Sequence, residues 1–284
     1  MKMHKELRMK TSGINRIHID RVVRESGYGM ASHHCHPYFE LYFVEYGSCR
    51  FMIDDNMRDL HDGDFLLIPP QTFHFTRYLF GDCRRVDLYF RTEDIGEEVL
   101  QTVPQVALFF TQTQFFQVPD AYRPQISEQF TRMMSDELIG DECTAIMLYF
   151  QLQELLLLCN RVCVFPQELP TDIHTSDRQV LLAARFISKN YMRAVTTADI
   201  AEAAGFSPNY LSRKFREAAG IGVHEYLVYT RLRHAAAELI STRDSITQIA
   251  LRCGFSDSNY FKDAFKRKYG MTPRAYRKES REPG

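Results

Sequence analysis

With 284 residues, 45% hydrophobic and 25% charged, the chain has the size and balance of a globular protein of one large or two ordinary domains. No apolar run approaches the roughly 20 residues of a membrane span, and the charged opening Met1–Arg8 has no apolar stretch behind it and does not read as a secretory signal, so a cytoplasmic location is the default expectation. The net charge of -1 conceals an asymmetry: residues 177–284 hold 19 Lys and Arg against 11 Asp and Glu, whereas residues 1–176 hold 16 against 25, which suits a polyanion-binding module joined to a separate control module.

Residues 1–13 read as a polar arm. From Asn15 to about Phe90 short apolar or alternating runs at 17–23, 41–44, 49–53, 65–68, 73–80 and 86–90 are separated by turn clusters around Gly47, Asp54–Asn56, Gly63 and Gly81. Many short strands at this spacing predict a barrel or sandwich. Helical spacing takes over at 121–139 and 144–159. The second of these is apolar on more than one face, as a covered core helix or a dimer seam would be. On the seam reading, Leu152→Glu should yield monomers. The stretch 165–176, with two prolines and little apolar content, reads as a linker. The seven cysteines are odd in number and lack a Cys-x-x-Cys pair, so reduced and mostly buried thiols are expected.

A helix is predicted from Asp177 to about Asn190. After it one pattern occurs twice, at 200–215 and 249–265: a short apolar-periodic helix, a Gly turn, then Phe-Ser opening a second helix. This is helix-turn-helix grammar. The copies are offset by 49 residues before the second Phe-Ser and by 50 after it. Between them 223–241 has helical spacing, and 19 residues at about 1.5 Å each make a rod of roughly 28 Å, close to the roughly 34 Å of one DNA turn.

A recognition helix needs apolar groups inward and short polar or basic groups outward. In the first copy Tyr210, Leu211 and Phe215 are expected to face in, and Asn209, Ser212, Arg213 and Lys214 out. In the second, Tyr260, Phe261 and Phe265 face in, and Ser258, Asn259, Lys262 and Asp263 out. Arg pairs with guanine edges and Asn with adenine. Lys214, Arg216, Lys266, Arg267, Lys268, Arg274 and Arg277 are expected on phosphates, where they set register.

The tandem units, closing with Gly254-Phe255-Ser256-Asp257-Ser258-Asn259-Tyr260-Phe261, Phe265-Lys266 and Gly270-Met271-Thr272-Pro273-Arg274-Ala275-Tyr276-Arg277, resemble the AraC/XylS family of transcription regulators over about a hundred residues. The resemblance implies a homodimeric bacterial regulator that binds double-stranded promoter DNA and works with RNA polymerase. Its two recognition helices would enter successive major grooves and read bases through Asn209, Ser212 and Arg213 and through Ser258, Asn259 and Lys262. Asp263 departs from the basic residue that some members carry there.

In the β region, His34-x-His36-x3-Glu40-x6-Gly47, then Gly63, Pro69 and His74, resemble the two cupin motifs, with departures at Gln71 and Tyr78. His34, His36 and Glu40 share parity, so a regular strand points them to one face. Three imidazoles and a carboxylate would suit a Zn, Ni, Mn or Fe ion. The same groups, with Tyr38, Tyr42, Tyr78 and Arg77, would equally line a metal-free polar pocket. The expected architecture is therefore α+β in two domains: a cupin-like effector-binding and dimerisation domain at 1–163, a linker at 164–176 and a tandem helix-turn-helix domain at 177–284. The expected function is a non-enzymatic regulator that responds to a small molecule, most plausibly a sugar. The alternative is a metal-binding cupin enzyme or metal sensor fused to a DNA-binding domain.

Overall fold

The structure is a computed structural model that describes residues 17–29, 36–53, 56–70, 72, 74–78, 81–103, 106, 110, 113–165 and 175–279. The chain forms two compact units, one drawn mainly from residues before 172 and the other mainly from Asp172 onward.

The first unit is built from β1 (His18–Arg24), β2 (Phe39–Tyr46), β3 (Cys49–Ile53), β4 (Asn56–Leu60), β5 (Asp64–Ile68), β6 (His74–Arg77), β7 (Cys83–Phe90) and β8 (Gln114–Gln117). A five-stranded sheet has the order β1-β7-β2-β5-β8, and a three-stranded sheet the order β4-β3-β6. Antiparallel register sorts the side chains of the larger sheet by parity. Phe39, Leu41 and Phe43 stand opposite Phe90, Leu88 and Val86, and Leu41 and Phe43 stand opposite Leu67 and Phe65. This apolar face packs on Ile126, Phe130 and Met133 of α2 (Arg123–Ile139) and on Leu148, Leu152, Leu155 and Leu156 of α3 (Thr144–Val162). A short α1 (Glu97–Thr102) precedes β8. The other face carries Glu40 and Tyr42 beside Tyr89 and Asp87, and looks onto β3 and β6. Gly47 turns the β2–β3 hairpin at φ +88, where a Cβ would lie 2.1 Å from the Asp82 carbonyl oxygen.

Several features differ from the sequence reading, among them two short helices, α1 and the final Pro273–Glu279. β4 is a strand although Asn56-Met57-Arg58-Asp59-Leu60 is mostly polar, because it is the edge of its sheet. β8 is too short to show a period. Leu152 is fully buried in the unit's own core, so it is a packing residue and not a seam residue. The outward face of α3 is instead Ile146, Met147 and Phe150, all exposed. After α3 the chain returns to the β8 edge, where Gln117 and Val164 exchange backbone hydrogen bonds of 2.9 Å. Residues 166–174 of the expected linker lie outside the described residues.

The second unit is all helical: α4 (Thr175–Asn190), α5 (Thr197–Ala203), α6 (Pro208–Ala219), α7 (Val223–Ser241), α8 (Ile246–Arg252), α9 (Ser258–Tyr269) and α10 (Pro273–Glu279). The repeat extends to the caps. Thr196 with Asp199, and Ser245 with Gln248, close capping boxes on α5 and α8. Gly220 and Gly270 end α6 and α9 in the left-handed conformation. The residue inserted in the second copy is Asp257. It takes over from Ser207 as the cap of its recognition helix, accepting from Asn259 N at 2.7 Å. α7 packs against both halves and so makes one body of them.

Candidate functional site

The polar face of the larger sheet is the first candidate. Glu40 of β2 and His74 of β6 are buried with His36, and their ligating atoms lie within 4.8 Å of one another. His36 Nε2 is 2.8 Å and His74 Nε2 3.2 Å from the same oxygen, Glu40 Oε2. The other ring nitrogens donate to main-chain carbonyls, His36 Nδ1 to Tyr38 O at 2.8 Å and His74 Nδ1 to Thr72 O at 3.1 Å. With the Nδ1 protons placed there, each Nε2 faces the carboxylate through a second ring proton or through a shared cation. Burial pushes the Glu40 carboxyl up, but the hydrogen bonds and charge of His36 and His74 outweigh it and hold the group well below the usual carboxylate range. Backbone-anchored imidazoles and a buried carboxylate are a donor set that fits a divalent ion of the Zn, Ni, Mn or Fe class. His34, the fourth expected ligand, lies outside the described residues.

Around this cluster the wall is aromatic and hydrogen-bonded. Tyr38 stacks on His36 at 4.3 Å, and Tyr89 meets both edge-on. Tyr42 Oη lies 3.0 Å from Tyr78 Oη and 3.3 Å from Cys49 Sγ, and Arg85 Nε donates to Tyr78 Oη at 2.9 Å. Arg85 also pairs with Asp87 Oδ2, to which Tyr89 Oη donates at 3.2 Å. Burial raises the Tyr42 phenol well above its ordinary range and pushes Tyr78 up to about 12, so both stay neutral donors. Arg77 packs near Phe75, with its guanidinium 6.0 Å from the ring. Arg85, Asp87 and Tyr89 were missed in the sequence. Their signal was the alternation of Cys83-x-Arg85-x-Asp87-x-Tyr89 against Val86, Leu88 and Phe90 along β7.

The second candidate is the outer surface of α6 and α9. Leu211, Phe215 and Ala219, and Phe261, Ala264 and Phe265, form the buried stripes. Asn209, Ser212, Arg213, Arg216, Asn259, Lys262, Asp263, Lys266, Arg267 and Arg274 are exposed, while Lys214 and Ser258 are half-buried. Ser212 Oγ donates back to Pro208 O at 2.9 Å. Tyr210 and Tyr260, expected inward, are 37% and 43% exposed. Each precedes the first buried residue by one position, roughly 100° around the helix, and so falls off the stripe. Arg213 lies over the Tyr210 ring at 5.1 Å, and Glu217 pairs with Lys214 at 2.9 Å and with Arg213 at 3.8 Å.

Two expected phosphate contacts are otherwise engaged. Arg277 donates to the carbonyls of Leu239 at 3.3 Å and Asp244 at 2.7 Å, closing the end of α7. Lys268 lies over the Tyr229 ring at 4.6 Å. In both cases the side chain is turned toward α7 or the segment that follows it.

A tandem helix-turn-helix unit and a cupin-like β-domain with a polar buried wall, in one chain, define the class: a two-domain regulator with separate DNA-reading and ligand-binding parts. Residues 200–279 match the family model described as a helix-turn-helix domain, and residues 21–142 the one described as an AraC-like ligand binding domain. The arabinose operon regulatory protein of Salmonella typhimurium is 31% identical over 218 residues, 76% of this chain and 74% of that protein. The uncharacterized HTH-type transcriptional regulator YijO of Escherichia coli is 39% identical over 114 residues, 39% of this chain and 40% of its own length. A similar staphylococcal regulator, SACOL0084, is matched over only 14% of its length. An AraC-type DNA-binding domain from Chromobacterium violaceum is 32% identical, with 38% of this chain and 97% of that one covered at a TM-score of 0.37. The chain belongs to the AraC/XylS family of transcription regulators. Among the described residues, no helix is long and apolar enough to cross a membrane.

Proposed function

We propose that the protein is a cytoplasmic, sequence-specific regulator of promoter DNA, switched by a small polar effector held in the β-domain. In this reading residues 1–163 sense, 164–176 link and 177–284 bind DNA. Asn209, Ser212, Arg213, Asn259 and Lys262 read bases, and Lys214, Lys266 and Arg267 hold phosphates. The effector is a carbohydrate. The observation that carries this is the buried wall of Tyr42, Tyr78, Asp87 and Tyr89 beside Glu40 and His74, which has more hydrogen-bonding capacity than packing needs. Asp87 Oδ1 makes no hydrogen bond with the described residues, so a sugar hydroxyl would supply its missing donor. Tyr38 and the other rings would stack on the sugar's C–H faces.

In this reading the protein senses its ligand and does not turn it over, as its similarity to transcriptional regulators suggests. It acts as a homodimer through the exposed α3 face and works on RNA polymerase. Effector binding changes DNA affinity by the ratio of its affinities for the two conformational states. Thermal-shift screening of the full chain tests the reading. A panel of aldoses and polyols should contain a compound that raises the melting temperature and alters DNA binding. A chain indifferent to every sugar, yet stabilised by Zn2+, Ni2+, Mn2+ or Fe2+ alone, would favour the metal sensor that the geometry of His36, Glu40 and His74 also supports.

A further inference from the structure

The two recognition helices bury equivalent stripes, so their outward centres are also equivalent. With Leu211 and Phe215 inward, the residues roughly opposite at 100° per residue are Asn209, Arg213 and Glu217. With Phe261 and Phe265 inward, they are Asn259, Asp263 and Arg267. Arg213 and Asp263 are both exposed, and each lies two residues before the buried Phe215 or Phe265. The first position of each triplet is Asn in both helices. The second and third carry inverted charges: Arg then Glu in α6, Asp then Arg in α9.

Arg reads guanine through O6 and N7, whereas a carboxylate accepts from the N4 amino group of cytosine. A carboxylate that meets no such donor lies unpaired beside phosphates and is penalised, so it discriminates by rejection as well as by attraction. We infer that the two half-sites of the operator differ at the equivalent base: guanine where Arg213 meets the strand and cytosine where Asp263 meets it. Asp263 is thus a specificity-determining residue of the second unit, and Glu217 holds the Arg213 and Lys214 side chains until DNA displaces it. This rests on the DNA-binding reading above.

The test is selection of a randomised duplex library by the full chain at low salt, followed by sequencing, for the wild type and for Arg213→Ala, Asp263→Ala and Asp263→Arg. Both side chains are exposed, and a circular dichroism melt checks that each variant is folded. The wild type should enrich two elements about one helical turn apart, with G in one column and C in the equivalent column of the other. Arg213→Ala should flatten the first column only and Asp263→Ala the second only, each by on the order of tenfold or more in base preference. Asp263→Arg should convert C to G. The inference is overturned by identical bases in the two columns, by an unchanged second column in Asp263→Arg, or by an Asp263→Ala protein that merely binds every site more tightly. Failure to enrich any element overturns the DNA-binding reading itself.

Discussion

Arg231 Nε donates to the carbonyl oxygen of Tyr191 at 2.8 Å, and its Nη2 donates to that of Arg193 at the same distance. The turn after α4 is thereby fastened to the middle of α7. Gly254, in the turn of the second helix-turn-helix unit, abuts the same carbonyl: a Cβ would lie 2.3 Å from Tyr191 O and 2.8 Å from Arg231 Nε, at φ +87. Gly205, its counterpart in the first unit, has φ +70 and nothing nearer than Gln179 Nε2 at 3.5 Å. Gly205→Ala should cost only the left-handed backbone penalty, about 1–2 kcal/mol. Gly254→Ala should cost clearly more and weaken DNA binding, because main chain must move. Urea unfolding midpoints of the two variants decide the matter, and equal losses would contradict it.

Two positions on α3 separate folding from the proposed association. Leu152→Ala should destabilise the β-domain by about 2–5 kcal/mol, since the side chain is fully buried. Phe150→Glu, at a position 61% exposed, should alter stability by less than about 1 kcal/mol and yield monomers in size-exclusion chromatography. A Phe150→Glu protein that stays dimeric would place the seam elsewhere.

His18 gives the β-domain a pH dependence. Its Nδ1 lies 2.7 Å from Glu137 Oε1, tying β1 to α2, and the hydrogen bond to Glu137 raises its pKa above the ordinary 6.5 against the opposing effect of burial. A raised histidine pKa stabilises the fold fully below the unfolded value, and the contribution is lost as pH climbs through the folded value. His18→Ala should therefore lower the melting temperature at pH 6 and matter less at pH 9. A deficit that grows with pH would show the pair is not the cause.

Salt dependence distinguishes phosphate contacts from structural arginines. Operator affinity should fall steeply between 50 and 200 mM KCl, by on the order of a thousandfold if about six phosphates are neutralised. Lys266→Ala should reduce the slope of log affinity against log salt by about 1. Arg277→Ala should leave that slope unchanged and lower thermal stability, because its guanidinium is spent on the carbonyls of Leu239 and Asp244. Fluorescence anisotropy titrations at several salt concentrations give both slopes.

Much of this was legible in the order of the residues. The repeat, its offset and the glycine turns are local, and a helix cap or a left-handed turn is decided within a few residues of itself. Even the inserted Asp257 is a local event: it replaces one cap by another and leaves the register of Asn259, Asp263 and Arg267 equal to that of Asn209, Arg213 and Glu217. The parity that sends Glu40 and Tyr42 to one face of β2 and Leu41 and Phe43 to the other is equally local.

What only the tertiary structure decided is which of two plausible faces is buried and which stays exposed. α3 is apolar on more than one face, and the packing of α2 and the sheet turns Leu152 inward and leaves Phe150 out. Arg277 and Lys268 read as phosphate ligands until the fold places the carbonyls of Leu239 and Asp244 and the ring of Tyr229 beside them. His36, Glu40 and His74 share one carboxylate oxygen because β2 and β6, distant in the chain, face each other across the interior, and Arg85, Asp87 and Tyr89 complete that wall from β7. Local rules act through one turn or one ladder step, whereas these contacts arise when the chain closes on itself and one face is buried at the expense of the other.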